Sequence, residues 1–182
     1  MPQFSDSSHP RVLIVMGVSG CGKSEVGSAL ARALGGVFHD ADSFHPAANV
    51  AKMSAGIPLN DEDRKPWLEK MRREIILGTP TGETAVLACS ALKKAYREYL
   101  REGQEDVWMV YLKGSFELIL ERISARQGHF MKADLLRSQF ATMEEPTDEP
   151  HVIIADITPP VDTVVQHILT ALRQQHAGEE SL

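Results

Sequence analysis

Short, unbroken apolar runs alternate along this chain with stretches whose apolar residues recur every three or four positions. Val12-Leu13-Ile14-Val15 and Val152-Ile153-Ile154 carry no polar interruption, as strands covered on both faces of a parallel sheet do. Such runs predict strands at 11–16, 36–41, 84–89, 106–112 and 151–155. The intervening pattern is helical. Val26, Leu30, Ala33 and Leu34 form one apolar face. Leu92, Ala95, Tyr96 and Tyr99 form a second, and Phe116, Ile119, Leu120 and Ile123 a third. The clearest is Val161, Val164, Val165, Ile168, Leu169 and Leu172, with Pro159 and Pro160 setting its start. This alternation predicts a three-layer α/β domain with a five-stranded parallel sheet over 11–176, and loose tails at 1–10 and 177–182.

Two stretches exceed the minimal alternation. Residues 42–80 hold helical pieces near 47–54 and 66–77, and residues 127–144 add a glycine, a histidine and another helix. Insertions at these places suit an acceptor-binding region and a closing lid. Structural padding is the plainer alternative.

Composition removes several classes. A chain of 182 residues with 43% hydrophobic and 24% charged residues is an ordinary globular domain. A formal charge of −6 argues against a nucleic-acid groove as the main partner surface. No apolar run approaches bilayer length, and MPQFSDSSHP lacks a basic region followed by an apolar one. Two cysteines, Cys21 and Cys89, make no disulfide framework, so a reduced, cytoplasmic setting is expected.

The first predicted strand runs straight into GVSGCGKS at 17–24, the pattern G-x-x-x-x-G-K-[ST] with Gly17, Gly22, Lys23 and Ser24 in place. Glycines let successive backbone N–H groups converge on one anion. A helix starting near Lys23 aims its positive end at the same phosphates, Lys23 adds a mobile charge, and the Ser24 hydroxyl suits Mg²⁺. Cys21 reads as a small passive residue of the turn.

Asp40 and Asp42 stand where the second strand runs out. Strand period would put both on one face at the ligand-binding edge of the sheet. One acid would then hold Mg²⁺ and the other accept a proton from an attacking hydroxyl. The third strand ends in Ser90 with no acid, which strengthens Asp40 as the metal's carboxylate. The alternative is a turn with acidic helix caps. Arg64 sits in the first turn of an acid-opened helix, at the wrong end of the dipole. Either an anionic ligand or an ion pair would account for it. Arg122 and Arg126, four apart with no acid in helical reach, favour a shared phosphate. Ser90 reads as an N-cap, Lys93 and Lys94 as solvated or anion-facing, Trp108 and Tyr111 as core. His45 is too isolated for metal ligation.

In GVSGCGKS, HDADSFHP at 39–46, NVAKMSAGIPLNDEDRKPWL at 49–68, ACSALKKAYREYLR at 88–101 and RISARQGHFMKADLLRSQFATMEEP at 122–146, the chain resembles the gluconokinases. These are small ATP-dependent kinases related in fold to shikimate kinase. The resemblance implies the three-layer P-loop NTPase fold and transfer of ATP's γ-phosphoryl group to the 6-hydroxyl of D-gluconate. It implies that Gly17, Val18, Ser19, Gly20, Cys21, Gly22, Lys23 and Ser24 bind ATP phosphates, with Ser24 and Asp40 on Mg²⁺. Arg122 would lie against adenine and Arg126 on phosphate. Catalysis would rest on Lys23, Asp42 and Arg126, and gluconate on Asp42, His45, Arg64, Ser90, Lys93 and His129. A homodimer is implied too. The HDAD segment departs from the family, which often has Gly before the second Asp. Rival readings are a kinase of this fold with shikimate or a nucleotide as acceptor, and a nucleotide-binding switch. A guanine switch would need an N-K-x-D segment, which this chain lacks.

Overall fold

The computed structural model describes residues 9–126 and 130–179. Five strands, β1 (Val12–Met16), β2 (Val37–Asp40), β3 (Ala85–Ala88), β4 (Val107–Lys113) and β5 (Val152–Asp156), pair in parallel in the order β2-β3-β1-β4-β5. No predicted strand end moves by more than one residue. The central strand β1 turns both ways: its first crossover leads towards β2, and the later ones towards β4 and β5. Ligands of such sheets bind beyond the carboxyl ends of the strands at that reversal.

Among the described residues the α-helices are α1 (Lys23–Leu34), α2 (Ala47–Ser54), α3 (Asp61–Met71), α4 (Lys94–Arg101), α5 (Phe116–Arg126), α6 (Phe130–Thr142) and α7 (Val161–Glu179). Strand alternation divides the core. Leu13 and Val15 pack with Val26 and Leu30 of α1, Ile119 of α5 and Ile168 of α7. Val12, Ile14 and Met16 pack with Trp67 and Met71 of α3 and Leu100 of α4 on the opposite face. All five β1 residues are fully buried, which is why their run shows no polar interruption. Among the described residues, no helix is long and apolar enough to cross a membrane.

Several local expectations change. The helix expected at 66–77 begins at Asp61, where Asn60 and Asp63 close a reciprocal capping box, and continues past Met71 as a π-turn over Arg72–Ile76. On α1, Ala31 rather than Ala33 faces the core. On α4 the expected face of Leu92, Ala95, Tyr96 and Tyr99 holds only in part, since Leu92 and Tyr96 pack against the core and Ala95 does not. The helix starts only at Lys94, its buried residues are Arg97 and Leu100, and Tyr99 is exposed. At the ends, His9 Nδ1 lies 3.2 Å from Thr84 Oγ1, and α7 runs three residues into the expected tail.

Candidate active site

The loop after β1 is held by its backbone. Gly22 caps α1 at φ 98° with no side chain closing the helix end. A Cβ at Gly20 would meet Ile123 Cγ1 at 2.4 Å, so α5 packs directly on the loop only because that residue is glycine. Among the described residues, no protein oxygen accepts from the amides of Gly20, Gly22, Lys23 or Ser24. Those amides and the positive end of α1 form a ready anion cradle. Lys23 Nζ donates to the carbonyls of Gly17 and Val18, both at 3.0 Å. Its charge therefore lies over the loop and not out in solvent. Cys21 is buried beneath it, and burial raises its thiol above the ordinary value despite Lys23 nearby, so it stays a neutral packing group.

Asp40 and Asp42 come together by a different route from the one expected. Asp40 ends β2, but Ala41–Phe44 is a 3₁₀ turn, so strand period does not extend to Asp42. Asp40 Oδ1 instead accepts the Asp42 N–H at 3.0 Å, the capping role weighed as the alternative. The cap and the site position coexist. Asp40 registers with Ala88 of β3, and Ala88 with Val15 of β1. Asp40 is thus two strand spacings, about 10 Å, from the base of the loop. The buried Cys89 thiol, pushed up to about 12 chiefly by burial, senses Lys23, Asp42 and Asp40 together. Those three charges share the carboxyl edge of β1, β2 and β3.

A second polar cluster is made wholly by side chains. Tyr96 donates to Asp61 Oδ1, which also receives Lys93 Nζ at 2.9 Å. Arg64 Nη1 reaches the Tyr96 hydroxyl at 3.3 Å, with its guanidinium 5.8 Å from the ring centre. Among the described residues Arg64 has no carboxylate within ion-pair distance, whereas Lys93 pairs with Asp61 and Lys94 with Glu98. The Tyr96 and Lys93 hydrogen bonds hold Asp61 below its ordinary 3.8, and the Lys52 hydrogen bond does so for Asp63. Depressed carboxyls support the fold fully above that ordinary value, and the support is lost as acid titrates the folded groups.

His45 is fixed rather than isolated. Its ring stacks on Trp67 at 4.5 Å, and Trp67 Nε1 donates to Ala41 O at 2.7 Å. Asn49 Nδ2, an obligate donor, faces His45 Nδ1 at 3.2 Å, which leaves the ring proton on Nε2. Burial lowers His45 below 6.5, opposed by Asp42 and aided by Arg64, so the neutral tautomer prevails at neutral pH.

Arg122 and Arg126 diverge. Arg122 Nη2 donates to the carbonyls of Ile157 (2.7 Å) and Thr158 (3.3 Å), and Arg126 Nη2 pairs with Glu25 at 2.5 Å. No acid lies in helical reach, but α1 supplies one, so repulsion between the two does not require a shared anion. Both still line a cavity of about 350 Å³ with Gly20, Gly22 and Pro159 beside the phosphate loop. Ser90 is not the N-cap; Lys93 is, and Ser90 O instead accepts the Gly17 N–H at 3.3 Å. His129 lies outside the described residues, as do Gln127 and Gly128 of the expected lid. The rest of that segment, α6, seats Leu136 in the core. Sequence reasoning missed Asn49, Tyr96 as a polar group, Arg97 and Gln139. Gln139 Oε1 accepts the Ser19 N–H at 2.5 Å. Only the spacing of Arg97 and Arg101, the same as that of Arg122 and Arg126, hinted at any of these.

Known proteins share this sequence and this fold. The shikimate kinase family model matches residues 19–173. The thermoresistant gluconokinase of Escherichia coli K12 is 43% identical over 173 residues, covering 94% of this chain and 99% of that one. A gluconokinase of Gluconobacter oxydans is 44% identical over 160 residues, covering 88% and 90%. The crystal structure of a gluconokinase from Sinorhizobium meliloti superposes with a TM-score of 0.85 at 40% identity, covering 94% of this chain and 96% of that one. A shikimate kinase from Aquifex aeolicus shares the fold at a TM-score of 0.55 and 21% identity. The chain belongs to the gluconokinase family, kinases built on the shikimate kinase fold.

Proposed function

We propose that this protein transfers the γ-phosphoryl group of ATP to the 6-hydroxyl of D-gluconate, giving 6-phospho-D-gluconate and ADP. The observation that carries this reading is that Asp42 and Arg64 both act on the one His45 ring, while Asp40, Asp42 and Lys23 act together on Cys89 beside the phosphate loop. Arg64, half-buried and without an ion-pair partner among the described residues, suits the carboxylate of a sugar acid. Asp42 would take the hydroxyl proton on its carboxylate as the oxygen–phosphorus bond forms and the bond to ADP breaks. His45 offers an Nε2 proton to a sugar oxygen, and Ser90 and Lys93 border the same cleft. Arg122 and Pro159 receive the base of the nucleotide, and Arg126 turns from Glu25 to phosphate.

Mg²⁺ fits the oxygen donors present. Ser24 is exposed at the mouth of α1, and Asp40 keeps Oδ2 free while Oδ1 holds the turn. Among the described residues no set of three or more acids, histidines or cysteines could cage a metal. That suits an ion held mostly by phosphate and water. When bound, the ion neutralises charge on the phosphates. The 42–80 segment is the acceptor region and 127–144 the lid. We place the protein in the cytoplasm as a homodimer, with the free, buried cysteines consistent with the former.

The test is ADP release with Mg-ATP against gluconate, other sugar acids, shikimate and nucleoside monophosphates. Gluconate should lead by a wide margin, and activity confined to a nucleotide acceptor would overturn the assignment. Asp42→Asn should lose roughly 10²–10⁴ in turnover with its melting temperature kept. Near-normal turnover would remove Asp42 from the role.

A further inference from the structure

We infer that Gln139 is a positioning residue for phosphoryl transfer, acting on Lys23 through the single peptide plane between Val18 and Ser19. The inference rests on the phosphoryl-transfer reading above and goes beyond it, because it ties α6, within the segment proposed as the lid, to the phosphate loop. A trans peptide is rigid and planar, with its N–H and C=O pointing in opposite directions. At the N–H end of this plane, Gln139 Oε1 accepts from Ser19 at 2.5 Å. At the C=O end, Val18 O accepts from Lys23 Nζ at 3.0 Å and from the Cys21 N–H at 3.3 Å. Whatever sets one end sets the other.

Glycine-rich loops do not hold such a plane unaided, since Gly17 and Gly20 flank it and both adopt positive φ. Gln139 is itself held. Leu136, one turn earlier on α6, is fully buried, and Phe140 meets Phe116 of α5 edge-on at 5.6 Å. The amide oxygen of Gln139 therefore comes from a docked helix, and it is a neutral acceptor. A neutral acceptor is what a loop built to receive anions requires, because a carboxylate there would repel the phosphates.

The experiment uses the full chain with two substitutions. Gln139→Met keeps length and bulk but removes the acceptor. Gln139→Glu keeps the acceptor and adds a charge. Gln139→Met should lower kcat roughly 10- to 100-fold at saturating ATP. Its gluconate KM should stay unchanged, and its melting temperature should fall by less than about 4 °C. Gln139→Glu should recover much of that kcat while weakening ADP, titrated calorimetrically without acceptor, by about tenfold or more. A folded Gln139→Met with wild-type kcat would overturn the inference, and so would a Gln139→Glu no faster than it. If Gln139→Met does not fold, a Gln139→Glu with wild-type ADP affinity overturns it alone. Wild-type protein inert towards gluconate would sink the acceptor assignment and leave the ADP titration to judge Gln139.

Discussion

Two helices carry arginines four residues apart, Arg97 and Arg101 on α4 and Arg122 and Arg126 on α5. The first pair closes on one carboxylate. Arg97 is fully buried, and both its Nε and Nη2 reach Glu149, which also receives Arg101 Nη2 at 3.1 Å. The remaining Arg97 donors hold the carbonyls of Ala91, Leu92 and Glu144 at 2.8, 3.0 and 2.8 Å. Burial pulls Arg101 below its ordinary value, with Glu149 opposing. The second pair splits between two backbone carbonyls and an exposed acid, and lines a cavity beside the phosphate loop. Saturated donors in a dry site make a brace; donors left with room around them suit the nucleotide-receiving role proposed above.

The brace has a functional consequence. Ala91 stands at φ 43°, strained for a residue with a side chain, in the turn that connects Ser90 to Lys93. Arg97 holds that strain from below. Glu149→Ala would leave two guanidinium groups without their shared acid, one of them fully buried. The expected cost is roughly 3–5 kcal/mol. Melting should drop by about 6–20 °C, at about 2–4 °C per kcal/mol for a domain of this size. Glu149→Gln, which keeps an acceptor, should fall between. Melting of Glu149→Ala within a couple of degrees of wild type would break the distinction between brace and receptor.

The receptor side predicts the opposite signature. Arg122→Ala should raise the ATP KM about 5- to 30-fold, the worth of one desolvated cation over an aromatic base. Gluconate KM should hold, and the melting temperature should move little. A rise in gluconate KM instead would place Arg122 on the acceptor and empty the nucleotide cavity of its main cation.

How far the sequence reaches follows from the same contrast. Where chemistry rests on the backbone, spacing alone reveals it. GVSGCGKS announces the loop because glycines and a helix start are local facts, and the strands show themselves because burial on both faces erases polar interruption. Asp40 and Asp42 were legible as a pair, though the turn that joins them was not. Where chemistry rests on side chains meeting across distant elements, local pattern points the wrong way. Arg97 drew no reading because Glu149 lies 52 residues away. Arg126 looked unpaired because Glu25 lies 101 away. Helical spacing registers partners three or four residues distant and no others. The amide of Gln139, 120 residues from Ser19, was invisible for the same reason.

The smallest expected effect sharpens the comparison most. Arg126 and Glu25 are 65% and 51% exposed, so their pair contributes at most about 1 kcal/mol to stability. Glu25→Ala should leave melting within a few degrees. It also frees a cation beside the loop and removes a negative charge from the first turn of α1, where nucleotide phosphates are proposed to sit. Both changes favour anion binding, so the ATP KM should fall by roughly two- to threefold at low salt. The gain should shrink towards 1 M salt as the Debye length contracts to about 3 Å. Arg126→Ala serves as the control, since it should lower kcat whether or not Glu25 is present. An ATP KM unmoved by Glu25→Ala at every salt concentration would mean that Arg126 never leaves its partner for phosphate. Arg126 would then be a surface brace of little worth, and the receptor would rest on Arg122 alone.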